Sequence, residues 1–572
     1  MSGKDGDVTD SGRHGDETQE QRPTGFSRTK RLMVTLPIFI ILLGILVTVS
    51  TNTRIPVEDE PRAMSFATLT PDTAVTFDTK ERLPGNGTYK VRKQYLTIDA
   101  KRPSNGEIQK IRVLIRMPEG APSKGLPGMV FMHGAGYGTC DNSFGDIATS
   151  MASAGFVTAV LDKPVWSTTD LNRDYQGSAV IYDQVIDILR GMDAVDEHKV
   201  GIYATSEATW ISSYLLDLDE GIAFQILLSP MVFSPRHSLA FLAVQNFALA
   251  GANDGYQSIV RRVFSFDLAM FHLDNIDIHT STPKAYSVPT MVAYGSKDVM
   301  TAQVQGFKEI LALAHRAGNW DVSLRSYPIA NHVLRLGDES MSGTPFADDY
   351  VDDMVSWAVG TSRGLKQTSE HIAGTPLYQS IPVPRGLHGH RVMTIYGTIV
   401  LALMAVMMLV SLVLALVALV MHIRNRSKGL GPALGFRERF GGALLMLTIV
   451  TLVALFVFLG GFAEVVLAVV HMAWGSAPPD NSGMMYWSWP FIQIVCIVLL
   501  WAWSRVFAGI IESLSVRGVL QWPMRRGALR QITSGAQPVV ATTRLGRVLF
   551  WTVAFTMLLI LLSFSFWGLF LF

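Results

Sequence analysis

The stretch Val200-Gly-Ile-Tyr-Ala-Thr-Ser-Glu-Ala-Thr-Trp210 decides how the chain is read. Val200 to Tyr203 is a short apolar run of strand character. Ala204-Thr205-Ser206-Glu207-Ala208 follows directly, and a helical pattern over Thr209 to Leu218 comes next. Ser206 stands at this strand-to-helix junction, and the residues two before and two after it are small. Here both are alanine, the next smallest residue after glycine. Taken alone, the pentapeptide fits an ordinary serine in a strand-to-helix turn as well as a reactive one.

Outward from this turn, the chain alternates strand and helix patterns. Strands are expected over Tyr89 to Ile98, Ile108 to Met117, Met129 to Met132, Phe156 to Leu161, Val200 to Tyr203, Phe224 to Leu228, Thr290 to Tyr294 and Val322 to Tyr327. Helices are expected over Ala179 to Met192, Thr209 to Leu218, Thr301 to Ala317 and Ala347 to Val359. The first two strands are amphipathic and follow each other directly. The later ones are short apolar runs of the kind buried on both faces. Strands alternating with helices imply an α/β class with a largely parallel sheet.

Three further turns stand at strand ends. Met129 to Met132 runs into His133-Gly134-Ala135-Gly136-Tyr137, Thr290 to Tyr294 into Gly295-Ser296-Lys297-Asp298, and Val322 to Tyr327 toward Asn331-His332. Individually these read as a flexible glycine turn, a turn aspartate and a structural histidine. Together, Ala204 to Ala208 resembles the nucleophile elbow G-x-S-x-G, and the chain resembles the α/β-hydrolase superfamily of serine esterases and lipases over about residues 85 to 362. The departure is alanine at both glycine positions. The resemblance implies an antiparallel start followed by parallel strand–helix units, with a cap insertion at 231–285. It implies Ser206 as nucleophile in an elbow formed with Ala204, Thr205 and Ala208. It also implies His332 as base, Asp298 as the acid that orients it, and an oxyanion hole from the backbone N–H groups of Ala135 and Glu207. The order Ser206, Asp298, His332 is the superfamily's order. Asp254, in Ala-Asn-Asp-Gly, and Asp321, just before a strand, are the rival acids and read as turn and structural residues.

The chain has 572 residues, of which 17% are charged, with a formal net charge of +1. This balance gives no electrostatic case for a nucleic-acid partner. No cluster of His, Cys and carboxylates points to a metal, no Gly-Lys-Ser/Thr follows Gly134 to Gly138 to make a phosphate loop, and no cofactor is expected. Cys140 lies in the globular part and Cys496 in an apolar run, so no disulfide between them is expected.

Residues 1–31 are polar and read as a disordered tail ending in Arg28, Lys30 and Arg31. Leu32 to Ser50 is apolar and uncharged, long enough to span a bilayer. Its length and the lack of an A-x-A site favour an uncleaved anchor over a signal peptide. Residues 51–365 form the hydrolase-like domain and 366–391 a linker rich in Pro, Gly and His. Residues 392–572 carry four more apolar runs, at about 392–421, 441–470, 489–511 and 548–571. Arg424, Arg426, Lys428, Arg437 and Arg439 lie between the first two of these. Arg517, Arg525, Arg526, Arg530, Arg544 and Arg547 lie between the last two, and the segment around Asp480 has no Lys or Arg. Basic loops stay cytoplasmic, so one orientation follows: N-terminus inside, residues 51–391 outside. Within the runs, Glu464 reads as an interfacial or hydrogen-bonded acid as readily as a relay, and Arg505 as a snorkelling cation.

These readings converge on a membrane-bound, extracytoplasmic serine hydrolase of carboxylic esters. Its placement suggests an acylated lipid or glycolipid of the cell envelope as substrate. An acyltransferase with the same residues, and a non-catalytic binding domain of the same fold, are the alternatives.

Overall fold

The computed structural model describes residues 26–56, 63–279, 282–337, 343–437, 440–473, 478–479, 483–520, 527–533 and 537–571. Most of the expected tail, with Asp480, Arg439, Arg525 and Arg526, lies outside the described residues. The strands are β1 (Met64–Phe66), β2 (Lys90–Lys101), β3 (Ile108–Glu119), β4 (Leu126–Met132), β5 (Val157–Leu161), β6 (Val195–Thr205), β7 (Gln225–Leu228), β8 (Thr290–Gly295), β9 (Val322–Tyr327), β10 (Ile372–Gly374) and β11 (Leu377–Gln379). The helices are α1 (Arg28–Asn52), α2 (Gly145–Ser153), α3 (Trp166–Thr169), α4 (Tyr175–Arg190), α5 (Ala208–Leu218), α6 (Pro235–Leu249), α7 (Asp254–Phe264), α8 (Gln303–Arg316), α9 (Tyr350–Ser362), α10 (Arg391–Ser427), α11 (Phe440–Ala473), α12 (Met484–Val516), α13 (Ala528–Thr533) and α14 (Arg544–Phe566).

Nine strands form one sheet in the order β10-β9-β8-β7-β6-β4-β5-β3-β2. The β2–β3 and β3–β5 pairs are antiparallel, and every other pair is parallel. This is the antiparallel start and mostly parallel continuation that the resemblance implies. The apolar runs are explained by period-2 alternation between two covered faces. Met129, Phe131, Tyr203, Met291 and Ala293 join one core cluster with residues of α2 and α9. Val130, Met132, Ile202, Ala204, Val292 and Tyr294 join another with α4, α5 and α8. Each side chain in these strands is therefore out of water whichever way it points. Truncating one of them, such as the fully buried Ile202, to alanine costs about 2–5 kcal/mol.

Residues 231–285, between β7 and β8, hold α6, α7 and three short 3₁₀ turns. Residues 366–391 are not a free linker. They contribute β10, parallel to β9, and β11, antiparallel to β1. Strands of three residues, broken by Gly374 and Pro376, are too short to show an alternation in sequence.

The chain divides into two compact units. One contains residues 49–401, 456–492 and 563–572, and so holds the sheet and the adjoining ends of apolar helices. The other contains residues up to 48, 402–455 and 493–562. Five helices, α1, α10, α11, α12 and α14, are long and apolar enough to cross a membrane. They run past the expected apolar limits, because helical hydrogen bonding continues into the polar flanks. The last stops short of residue 571, at Phe566, before Gly568 with φ of 94°.

Candidate active site

The end of β6 and the start of α5 meet at Ser206, whose φ of 52° lies in the left-handed region. For a residue with a β-carbon this conformation costs about 1–2 kcal/mol, so the surroundings must hold it. The Ser206 amide donates to the Leu228 carbonyl (2.9 Å). The Ser206 carbonyl accepts from the Thr209 amide (3.0 Å) and from Thr209 Oγ1 (2.7 Å). The Met231 amide in turn donates to Thr209 Oγ1 (2.9 Å). Ala204 and Ala208 are fully buried in the core beneath the turn. Their methyl groups fill the space that glycine would leave open.

His332 Nε2 lies 2.9 Å from Ser206 Oγ, and His332 Nδ1 lies 3.1 Å from Asp298 Oδ1. With the serine hydroxyl donating to Nε2, the proton on the ring belongs on Nδ1, facing the carboxylate. Asp298 also accepts from the Met300 amide (2.8 Å) and the Thr301 amide (3.3 Å) at Oδ1, and from Thr301 Oγ1 (2.5 Å) at Oδ2. Burial pushes Asp298 toward the neutral acid. His332, Thr301 and the Met300 amide outweigh that, and its pKa is lowered overall. Three residues that sequence alone suggested separately, on three strand ends, thus stand in one line of contacts, 2.9 and 3.1 Å long.

The acid and base loops are fastened to each other. The Ser296 amide donates to the Tyr327 carbonyl and the Lys297 amide to the Ala330 carbonyl, both at 2.9 Å. The Ile329 amide donates to Ser296 Oγ (2.9 Å). A β-carbon at Gly295 would run into the Ala330 and Asn331 carbonyl oxygens, so glycine is required where the histidine loop crosses the end of β8. Asn331 Oδ1 accepts from the Val333 amide (3.1 Å) and the Arg335 amide (2.8 Å), which folds the loop around His332.

Facing the serine is the turn after β4. A β-carbon on Gly134 would stand 3.2 Å from the Thr205 carbonyl oxygen and 3.4 Å from Ser206 Cβ. Lys163 Nζ donates to the Gly134 carbonyl (2.7 Å). A trans peptide directs its N–H opposite to its C=O, so this bond turns the Ala135 amide away from the lysine. Lys163 is also 3.4 Å from Glu207 Oε2, with the two side chains only 2% and 10% exposed. Arg173 (3.6 Å) and Tyr175 (3.3 Å) approach the other carboxylate oxygen of Glu207. Burial lowers the Lys163 pKa, and Glu207 opposes that shift. One buried ion pair therefore ties together the two peptides whose amides sequence pointed to, Ala135 and Glu207. Lys163 gave no signal in sequence, because a lysine two residues past a strand is ordinary.

His133 is not a second base. Its Nε2–H donates to the Leu161 carbonyl (2.6 Å), and burial lowers its pKa to about 4. Asp254 and Asp321 stand apart from His332. Asp254 opens α7 and accepts from Gln257 (3.2 Å). Asp321 precedes β9, and its carbonyl accepts from the Thr290 amide (2.9 Å).

Glu464, in α11, accepts from the Met485 amide (2.6 Å) at the start of α12. A carboxylate there satisfies an otherwise unpaired helix N-terminal amide and complements the helix dipole. In the same unit, α7 rests on the ends of α11 and α12. Tyr256 Oη is 2.7 Å from Ser488 Oγ, and its ring centroid lies 5.1 Å from that of Trp489.

No family model and no curated protein matches the chain. Similarity to solved structures is distant. A candidate dipeptidyl aminopeptidase IV of Bacteroides ovatus shares 14% identity at a TM-score of 0.33, over 48% of this chain. This chain spans only 36% of that protein's length. An esterase of the fungus Rhizomucor miehei shares 14% identity over 49% of this chain and 86% of its own, at a TM-score of 0.35. Brefeldin A esterase, described as a bacterial homologue of human hormone-sensitive lipase, shares 16% over 60% and 89%, at 0.33.

Proposed function

We propose that the chain is a membrane-bound serine hydrolase that cleaves carboxylic esters outside the cytoplasm. The observation that carries this reading is the 2.9 Å contact between His332 Nε2 and Ser206 Oγ, made by a serine held at φ 52°. As His332 takes the hydroxyl proton, Ser206 Oγ attacks the ester carbonyl, and Asp298 stabilises the imidazolium. The amides of Ala135 and Glu207 receive the oxyanion. Collapse expels the alcohol, which takes the proton from His332. Water, deprotonated by His332, then attacks the acyl-enzyme, and collapse releases the acid as Ser206 Oγ takes the proton back from His332.

The substrate is an acylated lipid or glycolipid of the cell envelope. Support comes from α7, the second helix of the insertion between β7 and β8, which is seated on the ends of two apolar helices. Such a position suits a substrate with its tail in the bilayer. The test is turnover of p-nitrophenyl butyrate by the full-length protein in detergent, with and without an added alcohol. Release of free acid supports a hydrolase, product found only on the alcohol would make the protein an acyltransferase, and no turnover would leave only a binding role.

The basic segments put the N-terminus and both arginine-rich loops in the cytoplasm. A cysteine replacing the exposed Lys366 should therefore react with an impermeant maleimide in intact cells. Reaction only after lysis would reverse the orientation.

Lys163 acts as a positioning residue for the oxyanion donors. Lys163→Met should lower kcat of the folded protein about 10²–10³-fold, the scale of losing one oxyanion donor, with KM little changed and the melting temperature lowered, because Glu207 loses a buried partner. A kcat within a few-fold of wild type would show that the Gly134 peptide holds its orientation unaided.

A further inference from the structure

We infer that the unit built from residues up to 48, 402–455 and 493–562 binds an anionic phospholipid, with the lipid phosphate held by an arginine cluster. A cavity of about 1410 Å³ lies between α1, α11 and α12, closed at one end by the segment before α14. Among the described residues, Arg28, Arg31, Arg437, Arg505 and Arg517 line it, against the single carboxylate of Glu512. The charges of these described residues sum to +4.

Glu512 is engaged by Arg31, whose Nε and Nη2 each donate at 2.9 Å, and by the Phe26 amide at 2.7 Å. One carboxylate does not neutralise five guanidinium groups. Arg437 and Arg517 both donate to the one Pro538 carbonyl, at 3.2 and 2.6 Å. Arg517 Nη1 is buried with no hydrogen-bond partner among the described residues. Arg28 and Arg505 have no hydrogen-bond or ion-pair partner among the described residues. A buried N–H without an acceptor is costly, and clustered like charges repel. A phosphate oxyanion relieves both, since guanidinium forks match its geometry.

Snorkelling toward a headgroup layer would account for arginines that point outward one by one. It does not account for a buried guanidinium nitrogen without a partner among the described residues, nor for arginines from α1, α12 and the segments beside α11 and α12 converging on one cavity. The remainder of the lining selects an amphiphile. From Arg517 the wall follows α12 to Trp501, about 24 Å at 1.5 Å per residue. Leu32, Met446 and Val506 make it apolar, and Trp501 stacks edge-on to Phe39 at its far end. That reach exceeds half of a bilayer's hydrocarbon core, about 15 Å. A small soluble anion would leave this surface wet, whereas an acyl chain covers it. Basic pockets between membrane helices are recurrent sites for anionic headgroups.

The test uses the full-length protein in a neutral detergent, titrated with phosphatidylglycerol, phosphatidylcholine or inorganic phosphate. Melting temperature and bound lipid, by native mass spectrometry, are the readouts. Phosphatidylglycerol should raise the melting temperature and remain bound, one per chain. Phosphatidylcholine and millimolar phosphate should do neither. Arg505→Gln and Arg517→Gln should each weaken phosphatidylglycerol about tenfold, while Arg505→Lys, which keeps the charge but not the fork, should weaken it less than Arg505→Gln. Arg424→Gln, outside the cavity, should change nothing. If Arg517→Gln fails to fold, Arg505→Gln decides alone. Equal stabilisation by phosphatidylcholine would overturn the proposal, as would stabilisation by phosphate alone, or unchanged affinity in Arg505→Gln.

Discussion

Ser206→Ala is expected to lower ester turnover by about a million-fold, the scale seen when a hydrolase nucleophile is removed. The loss is large because no other hydroxyl can take its place. His332 Nε2 points at Ser206 Oγ, and the turn that holds the serine is bonded on both sides, to Leu228 and to Thr209. Alanine occupies the same left-handed conformation at the same cost, so the fold should survive with an unchanged melting temperature. The residual rate should stay above that of water alone, since the Ala135 and Glu207 amides remain. Initial rates with p-nitrophenyl butyrate, read beside the melting curve, check this. A variant with a tenth of wild-type turnover would exclude Ser206 as nucleophile.

Asp298→Asn is expected to cost about 10⁴-fold in kcat while leaving the loop intact. The reasoning is in the hydrogen bonds. Asp298 meets the Met300 and Thr301 amides and the Thr301 hydroxyl, and faces the His332 Nδ1 proton. The two amides and His332 Nδ1 all meet Asp298 Oδ1, so an asparagine oxygen in that place keeps these contacts, turns its NH₂ toward Thr301 Oγ1 and removes the negative charge that stabilises the imidazolium. Asp254→Asn and Asp321→Asn should stay close to wild type, because neither carboxylate reaches His332. A folded Asp298→Asn enzyme with near-normal kcat would mean that another acid orients the base.

The parts of this site legible in sequence are those governed by local rules. A strand buried on both faces reads as an unbroken apolar run, which located β4 to β9, and the amphipathic alternation of β2 and β3 located those two. Ser206, Asp298 and His332 could be ordered because each closes its own strand. What could not be read depends on contacts between distant segments. Lys163 and Glu207 meet across two strand ends. Ser296 bonds the histidine loop, and β10 is too short to show a period. The arginines of the helical unit were legible one at a time as cytoplasmic markers. Only the packing of α1 against α12 shows that Arg31, Arg505 and Arg517 share a cavity. The alanines that replace the elbow glycines are explained by burial, since both methyl groups belong to the core under the turn.

The central claim is that Ser206 is a nucleophile activated by His332. The most direct measurement is covalent labelling of the full-length protein with a fluorophosphonate, read by intact mass and peptide mapping. One phosphonyl group per chain should form on Ser206, and it should be absent in Ser206→Ala and slowed by orders of magnitude in His332→Ala. A label on another residue, or none on a folded wild-type protein, would contradict the account.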